Sequence, residues 1–175
     1  MKIIGQFILS LFIWLPLAQA ATPGEVMQGQ YLRDVTMMGL GLPDKALSEY
    51  QGKPLIINIW ASWCGPCRAE MQSLESLSKQ SLAVEFNLIG ISTDDFPLKA
   101  YALIDETDIS FDNFIDQKLV LENMLGANRI PLTILVDAEG KVLAKVHGSR
   151  AWDHPKMVKM IEQTFQQKEL ITTEH

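Results

Sequence analysis

Pro54-Leu55-Ile56-Ile57-Asn58-Ile59-Trp60-Ala61-Ser62-Trp63-Cys64-Gly65-Pro66-Cys67-Arg68-Ala69-Glu70-Met71 sets the frame for the rest of the chain. Its first part, Pro54 to Trp60, is a short and nearly continuous apolar run, the pattern of a strand buried on both faces. From Cys67 to Gln80 the apolar residues Ala69, Met71, Leu74 and Leu77 recur at helical spacing, which predicts a helix. Val84 to Ile91 (VEFNLIGI) reads as a second buried strand. Strand, helix and strand in that order imply a parallel pair joined by a right-handed crossover, and therefore an α/β domain.

Beyond this unit, Asp95 is a candidate N-cap for a helix opened by Phe96, Pro97, Leu98, Tyr101, Ala102 and Leu103, fading near Asp108. Phe111 to Ile115 suits a short strand, and Lys118 to Leu125 a short helix closed by Gly126. Leu132 to Val136 and Val142 to Val146 flank Asp137-Ala138-Glu139-Gly140, the signature of an antiparallel hairpin. Asp153 is the expected cap of a last helix whose stripe of Met157, Val158, Ile161 and Phe165 covers a sheet face. Toward the N-terminus, Tyr31 to Met38 suits a strand, broken by the glycine-rich run Gly39 to Pro43 before Leu47 to Gln51. Residues 22–30 (TPGEVMQGQ) are small and turn-prone, the composition of a flexible lead-in.

The first twenty residues have the form of a secretory signal. Lys2 supplies the positive start, Phe7 to Ala18 the apolar centre, and Ala18-Gln19-Ala20 a small-x-small cleavage site. The alternative is an uncleaved membrane anchor, against which Gln6 and Pro16 interrupt a run already short of the roughly 20 residues a span requires. Removal of Lys2 with the signal leaves 14 basic against 21 acidic residues, a net charge of −7. That sign excludes a surface built to neutralise a phosphate backbone, so no nucleic acid partner is expected. With 175 residues, 47% of them hydrophobic, the chain has material for one compact domain.

The two cysteines, Cys64 and Cys67, are too few for a disulfide framework or a four-thiolate zinc site. They fall where strand gives way to helix, so Cys64 is expected at the helix N-terminus with Pro66 in the first turn. Unpaired N–H groups and the helix dipole at that end favour a thiolate, the nucleophile of disulfide exchange. Cys67, one turn further on the same face, is placed to resolve a mixed disulfide on Cys64. A purely structural bridge closing so small a loop would remove only roughly 2 kcal/mol from the unfolded ensemble by the chain-entropy expression. A metal site finds no support, since His147, His154 and His175 show no ligand spacing to the pair.

The segment from Gly52 to Met71 resembles the active-site stretch of exported bacterial oxidoreductases of the TlpA, ResA and DsbE kind. The resemblance continues through Ile89-Gly90-Ile91-Ser92-Thr93-Asp94 and Ile130-Pro131-Leu132-Thr133-Ile134-Leu135-Val136-Asp137, spanning roughly Gly39 to Phe165. It implies a thioredoxin fold: a central mixed sheet flanked by helices, with an extra helix and strand inserted between the βαβ unit and the C-terminal ββα unit. The expected division is a signal at 1–20, a lead-in and strand at 21–38, and a thioredoxin-like domain at 39–168. Implied too are a periplasmic location, protein thiols and disulfides as partners, a membrane electron donor of the DsbD kind, a monomeric state, and no cofactor beyond the Cys64–Cys67 pair.

The resemblance also assigns roles. Asn58 stands where cytoplasmic thioredoxins carry a buried acid, and Glu70, three positions after the second cysteine, takes its place in proton transfer. Pro131 is expected in the cis form facing the pair, with Ile130 offering backbone groups to an extended substrate segment. Trp63, with Gly65 and Pro66, belongs to the docking rim, while Trp60 is expected in the core facing away and Arg68 at the surface. Trp152 is expected to pack the last helix on the sheet, His147 to be a strand residue without a role, and Met37 and Met38 to fill an apolar surface. The Gly-Pro pair between the cysteines lacks a cationic histidine, which favours a reductase over an oxidase.

Two other functions fit parts of the pattern. Reduction of apocytochrome c thiols for haem attachment is one, although Gly126-Ala127-Asn128-Arg129-Ile130-Pro131-Leu132-Thr133 departs from the Gly-x-x-Gly-x-Pro-Glu-Thr usual in DsbE-type members. Delivery of Cu(I) to an oxidase is the other, but copper-assembly proteins of this fold space their cysteines one residue further apart and add a distal histidine. A peroxiredoxin fits less well still, because that chemistry wants a threonine or serine three residues before its cysteine, where Ala61 stands.

Overall fold

A computed structural model describes residues 24–82 and 84–172, with side chains up to residue 166. The expected signal at 1–20 lies outside them. Among the described residues seven strands form one mixed sheet: β1 (Thr36–Gly39), β2 (Lys45–Ala46), β3 (Leu55–Trp60), β4 (Asn87–Ser92), β5 (Asp112–Ile115), β6 (Leu132–Val136) and β7 (Val142–His147). Among the described residues four α-helices accompany them: α1 (Gly65–Ser78), α2 (Pro97–Thr107), α3 (Val120–Leu125) and α4 (Pro155–Thr172). The order across the sheet is β2-β1-β5-β4-β3-β6-β7. β3, β4 and β5 run parallel, whereas β6 and β1 run antiparallel to their neighbours. This is the thioredoxin fold, and α2, β5 and α3 lie between the β3-α1-β4 unit and the closing β6-β7-α4 unit, where the extra helix and strand were expected.

β3 is buried along its whole length, and its side chains alternate between two cores. Leu55, Ile57 and Ile59 enter a core shared with Phe114, Ile134 and, from α3, Leu121 and Leu125. The opposite face presents Ile56 and Trp60 to α1, α2 and α4. Asn58, between them in the alternation, therefore points at α1. Gly90, the register partner of Asn58 on β4, has no room for a side chain, because a Cβ there would run into Asn113 Oδ1 and lie 2.8 Å from Trp60 Nε1.

Several local expectations need correction. β4 begins at Asn87 rather than Val84, since its ladder with β3 opens at the Leu55–Asn87 pair and Glu85 is instead salt-bridged to Lys53. Phe96, not Asp95, caps α2, because Pro97 supplies the first helical residue. α4 starts at Pro155, two residues beyond Asp153, and His154 Nδ1 accepts the Lys156 N–H at 3.2 Å. Ala69 faces solvent, and the buried stripe of α1 runs through Cys67, Glu70, Met71, Leu74 and Leu77. Met37 is buried whereas Met38 is exposed. The segment read as a flexible lead-in is tied to the body from Val26 on: Val26 N–H donates to Met124 O, Gly29 N–H to Val142 O and Leu32 N–H to Gly140 O, each at 2.8 Å. No helix among the described residues is long and apolar enough to cross a membrane.

Candidate active site

The carboxyl end of β3 leads through Ala61-Ser62-Trp63 into Cys64, which has extended backbone (φ −85°, ψ 103°) and caps α1. Its Sγ accepts the Cys67 backbone N–H at 3.2 Å, so the sulfur answers one of the unpaired donors of the helix start. Pro66 occupies the second helical position, where its missing N–H forfeits no bond. Cys64 and Cys67 are joined by a disulfide with S–S 2.07 Å. Cys64 retains 6% exposure and Cys67 none, which leaves the first sulfur as the one a second molecule reaches. Gly65, Pro66 and Trp63 are exposed around it, Trp63 at 69%.

Asp94 fastens the approach to Cys64. Its buried carboxylate accepts the Ser62 N–H at 2.8 Å, the Ser62 hydroxyl at 2.6 Å and the Ser92 hydroxyl at 2.8 Å. Sequence reading missed this residue, although Ser92-Thr93-Asp94 following an apolar strand is a visible polar signal. On the other flank, β6 begins next to β3, and the Ile130–Pro131 peptide bond is cis. Ile130 O lies 3.9 Å from Cys64 Sγ, and Pro131 O accepts the Gly148 N–H at 2.8 Å. Ile130 is thus brought beside Cys64, and the bond that follows it has the cis form the family resemblance implied.

Glu70 is almost fully buried on the face of α1 turned to β3. Its Oε1 accepts from Asn58 Nδ2 at 2.9 Å; its Oε2 accepts the Arg150 N–H at 3.0 Å and the Trp152 indole N–H at 2.9 Å. Burial pushes its carboxyl above the ordinary range, and the bonds from Trp152, Asn58 and Arg150 only partly oppose this. Asn58 Nδ2 also donates to Thr133 Oγ1 at 3.0 Å, which links the carboxylate to β6. Trp60 is in the core as expected but does not face away from the pair: it belongs to the apolar cluster that holds Cys64, Cys67 and Met71. Trp152 is buried between sheet and α4, as expected, and its bond to Glu70 is an addition no sequence signal announced. Arg68 is exposed and pairs with Glu106 at 3.1 Å. Among the described residues, no group of three or more His, Cys, Asp or Glu side chains is placed to hold a metal ion.

A strand feeding a CxxC pair at a helix start, with a proline-led antiparallel strand alongside, is the frame of thioredoxin-fold thiol-disulfide oxidoreductases. The redoxin family pattern matches residues 27–161. The thioredoxin-like protein YneN of Bacillus subtilis is 30% identical over 126 residues, covering 70% of this chain and 72% of that protein. The thiol-disulfide oxidoreductase ResA of Oceanobacillus iheyensis is 28% identical over 107 residues, 61% of this chain but only 56% of that ResA. In three dimensions, a Chlorobium tepidum protein described as thiol:disulfide interchange protein DsbE superposes with a TM-score of 0.70 at 25% identity, over 80% of this chain and 96% of that one. A Bacteroides thetaiotaomicron protein described as a protein disulfide isomerase gives 0.69 at 26%, over 84% and 95%. The chain belongs to the redoxin family, and it is a thiol-disulfide oxidoreductase.

Proposed function

We propose that the chain reduces disulfide bonds of proteins outside the cytoplasm. The Cys64 thiolate attacks one sulfur of a substrate disulfide and expels the other as a thiolate, leaving a mixed disulfide. Cys67 then attacks Cys64 Sγ, releases the second substrate sulfur and closes the Cys64–Cys67 bond, so two electrons pass from the pair to the substrate. Glu70 accepts the proton that Cys67 must lose, for which a buried carboxyl with a raised pKa is better suited than an exposed one. Trp63, Gly65, Pro66, Ile130 and Pro131 receive the substrate segment. The pair itself is the redox group, and a membrane donor of the DsbD kind returns it to the dithiol.

The observation that carries this reading is the asymmetry of the two sulfurs: Cys64 Sγ at the helix start with Ile130 O 3.9 Å away, Cys67 fully enclosed behind it. Export is supported by the signal-like first twenty residues. The test is to replace Cys67 with Ser, isolate the protein from the periplasm and identify what is bound through Cys64. Reducible protein adducts, together with insulin reduction by the wild type, are expected. Absence of adducts and of insulin reduction, with tight stoichiometric Cu(I) binding instead, would replace this reading with copper delivery.

A further inference from the structure

Because β3, β4 and β5 are parallel, the loops that follow them emerge along one edge of the sheet, with the start of β6 beside them. The loops are fastened to one another. Asp94 holds Ser62, Gln117 Nε2 donates to Asp95 O at 2.8 Å, and Asp116 N–H donates to Ser92 O at 2.8 Å. This edge carries Trp63, Phe96, Leu98, Leu119 and Val120, all large apolar side chains left exposed. Met38, also exposed, adjoins it, since β1 pairs antiparallel with β5 through Met38–Ile115. Such a concentration in one place is unusual for a surface that meets only water.

Two further observations point outward from the same edge. Leu119 lies in the left-handed region (φ 54°), a conformation a leucine rarely adopts. It is held there by Asp116, whose carbonyl accepts the Leu119 N–H at 2.9 Å and whose carboxylate accepts the N–H groups of Val120 and Glu122 at 2.9 and 2.8 Å. Backbone strain of this sort gathers where a side chain must be presented. Beside it, a cleft of about 190 Å³ opens between β1 and the β5–α3 loop, lined by Thr36, Met38, Ile115, Lys118 and Val120 among others. Methionine gives such a wall an adaptable surface.

We infer that this edge is a second recognition surface for the protein substrate, one that takes an apolar side chain lying several residues from the reactive cysteine. The inference rests on the exchange reaction proposed above, and the surface is continuous with it: a polypeptide whose sulfur is at Cys64 must lay its flank on neighbouring loops. Ile130 serves one flank, and the Phe96–Leu119–Met38 edge serves the other. Strands lie about 4.8 Å apart, so the cleft at β1, three strands from β3, is on the order of 14 Å from the pair. An extended chain covers that in about four residues. Exposed charges of both signs border the edge, Asp95 against Lys118 and Lys99, whose ammonium lies 5.5 Å from the centre of the Phe96 ring, so the occupant is an apolar segment rather than a strongly acidic or basic one.

The test uses the full reduced chain and two synthetic peptides, each with one cysteine capped by glutathione in a mixed disulfide. One carries a leucine pair four residues from the cysteine, the other a serine pair. In single-turnover oxidation, the wild type is expected to react with the leucine peptide about tenfold faster, a discrimination within reach of one seated apolar side chain. Phe96→Ser with Val120→Ser should abolish the difference while leaving oxidation by glutathione disulfide unchanged. Leu119→Gly, which suits the left-handed backbone, reports on the same surface in a variant whose fold is not at risk. Equal rates for the two peptides with the wild type, or discrimination that survives all these substitutions, would overturn the inference. So would a wild-type dimer in sedimentation that the substitutions split, because the surface would then belong to a second copy. Failure of glutathione disulfide to oxidise the wild type would sink the exchange reading itself, and this inference with it.

Discussion

Trp152 and Glu70 are 82 residues apart in sequence, yet the indole N–H of the first donates to Oε2 of the second at 2.9 Å. The bond joins the segment after β7 to the second turn of α1, and it lies where burial and hydrogen bonding compete over one proton. Three donors favour the carboxylate, loss of water favours the neutral acid, and burial prevails.

The folded state therefore holds the Glu70 proton more tightly than the unfolded chain does. Ionising Glu70 costs stability, a cost absent below the ordinary carboxyl range and complete once pH passes the raised pKa. The stability of the wild type relative to Glu70→Gln is expected to decline as pH rises through that window, read from urea melts of the oxidised proteins at a series of pH values. A gap independent of pH would show that Glu70 does not titrate there.

The same substitution tests the chemistry. Without a proton acceptor, resolution of a mixed disulfide by Cys67 is expected to slow on the order of a hundredfold near neutral pH. Stopped-flow release of a chromogenic thiol from the Cys64 adduct measures this step, and an unchanged rate would remove Glu70 from the mechanism.

Asp94→Ala leaves the Ser62 N–H without its acceptor. A loss of about 1–3 kcal/mol is expected from the orphaned donor, and the loop that carries Cys64 loses its fastening. Thermal unfolding gives the first quantity, and the rate of Cys64 alkylation in the reduced protein reports the second.

Gly90→Ala forces a methyl group against Asn113 Oδ1 and Trp60 Nε1, which are themselves hydrogen-bonded at 3.1 Å. Overpacking at such a point should destabilise the protein by about 1–3 kcal/mol. Retention of wild-type stability would mean that β4 and β5 separate more easily than their packing indicates.

Trp63→Ala removes a side chain that is 69% exposed. Stability is expected to stay within about 0.5 kcal/mol of the wild type, while the KM for a protein disulfide rises several-fold. Steady-state insulin reduction beside a calorimetric melt separates the two effects.

What the sequence discloses follows from how local the cause is. The β3 run, the cap by Cys64 and the α3 stop at Gly126 were legible because neighbouring residues decide them. Val84 reads as strand because an apolar residue there looks no different from one in the ladder, and only the register with Leu55 places the start at Asn87. Asp95 is a good cap by composition, but the Pro97 ring fixes the first helical residue one position too late for it. The surroundings of Glu70 were beyond reach, since Asn58, Arg150 and Trp152 arrive from β3 and from the segment after β7. The family resemblance pointed to Glu70 without revealing what holds it.

Val26 and Met37 retain 3% and 1% exposure inside the core that α3 covers. Any fragment begun at Gly39, where the family resemblance starts, would discard both and lay bare the β5 edge that β1 pairs with. Forfeiting two buried side chains worth about 1.5–3 kcal/mol each takes a large share of what a domain of this size has to spare. A truncated product of that kind is expected to aggregate, so a recombinant boundary belongs ahead of Gly24.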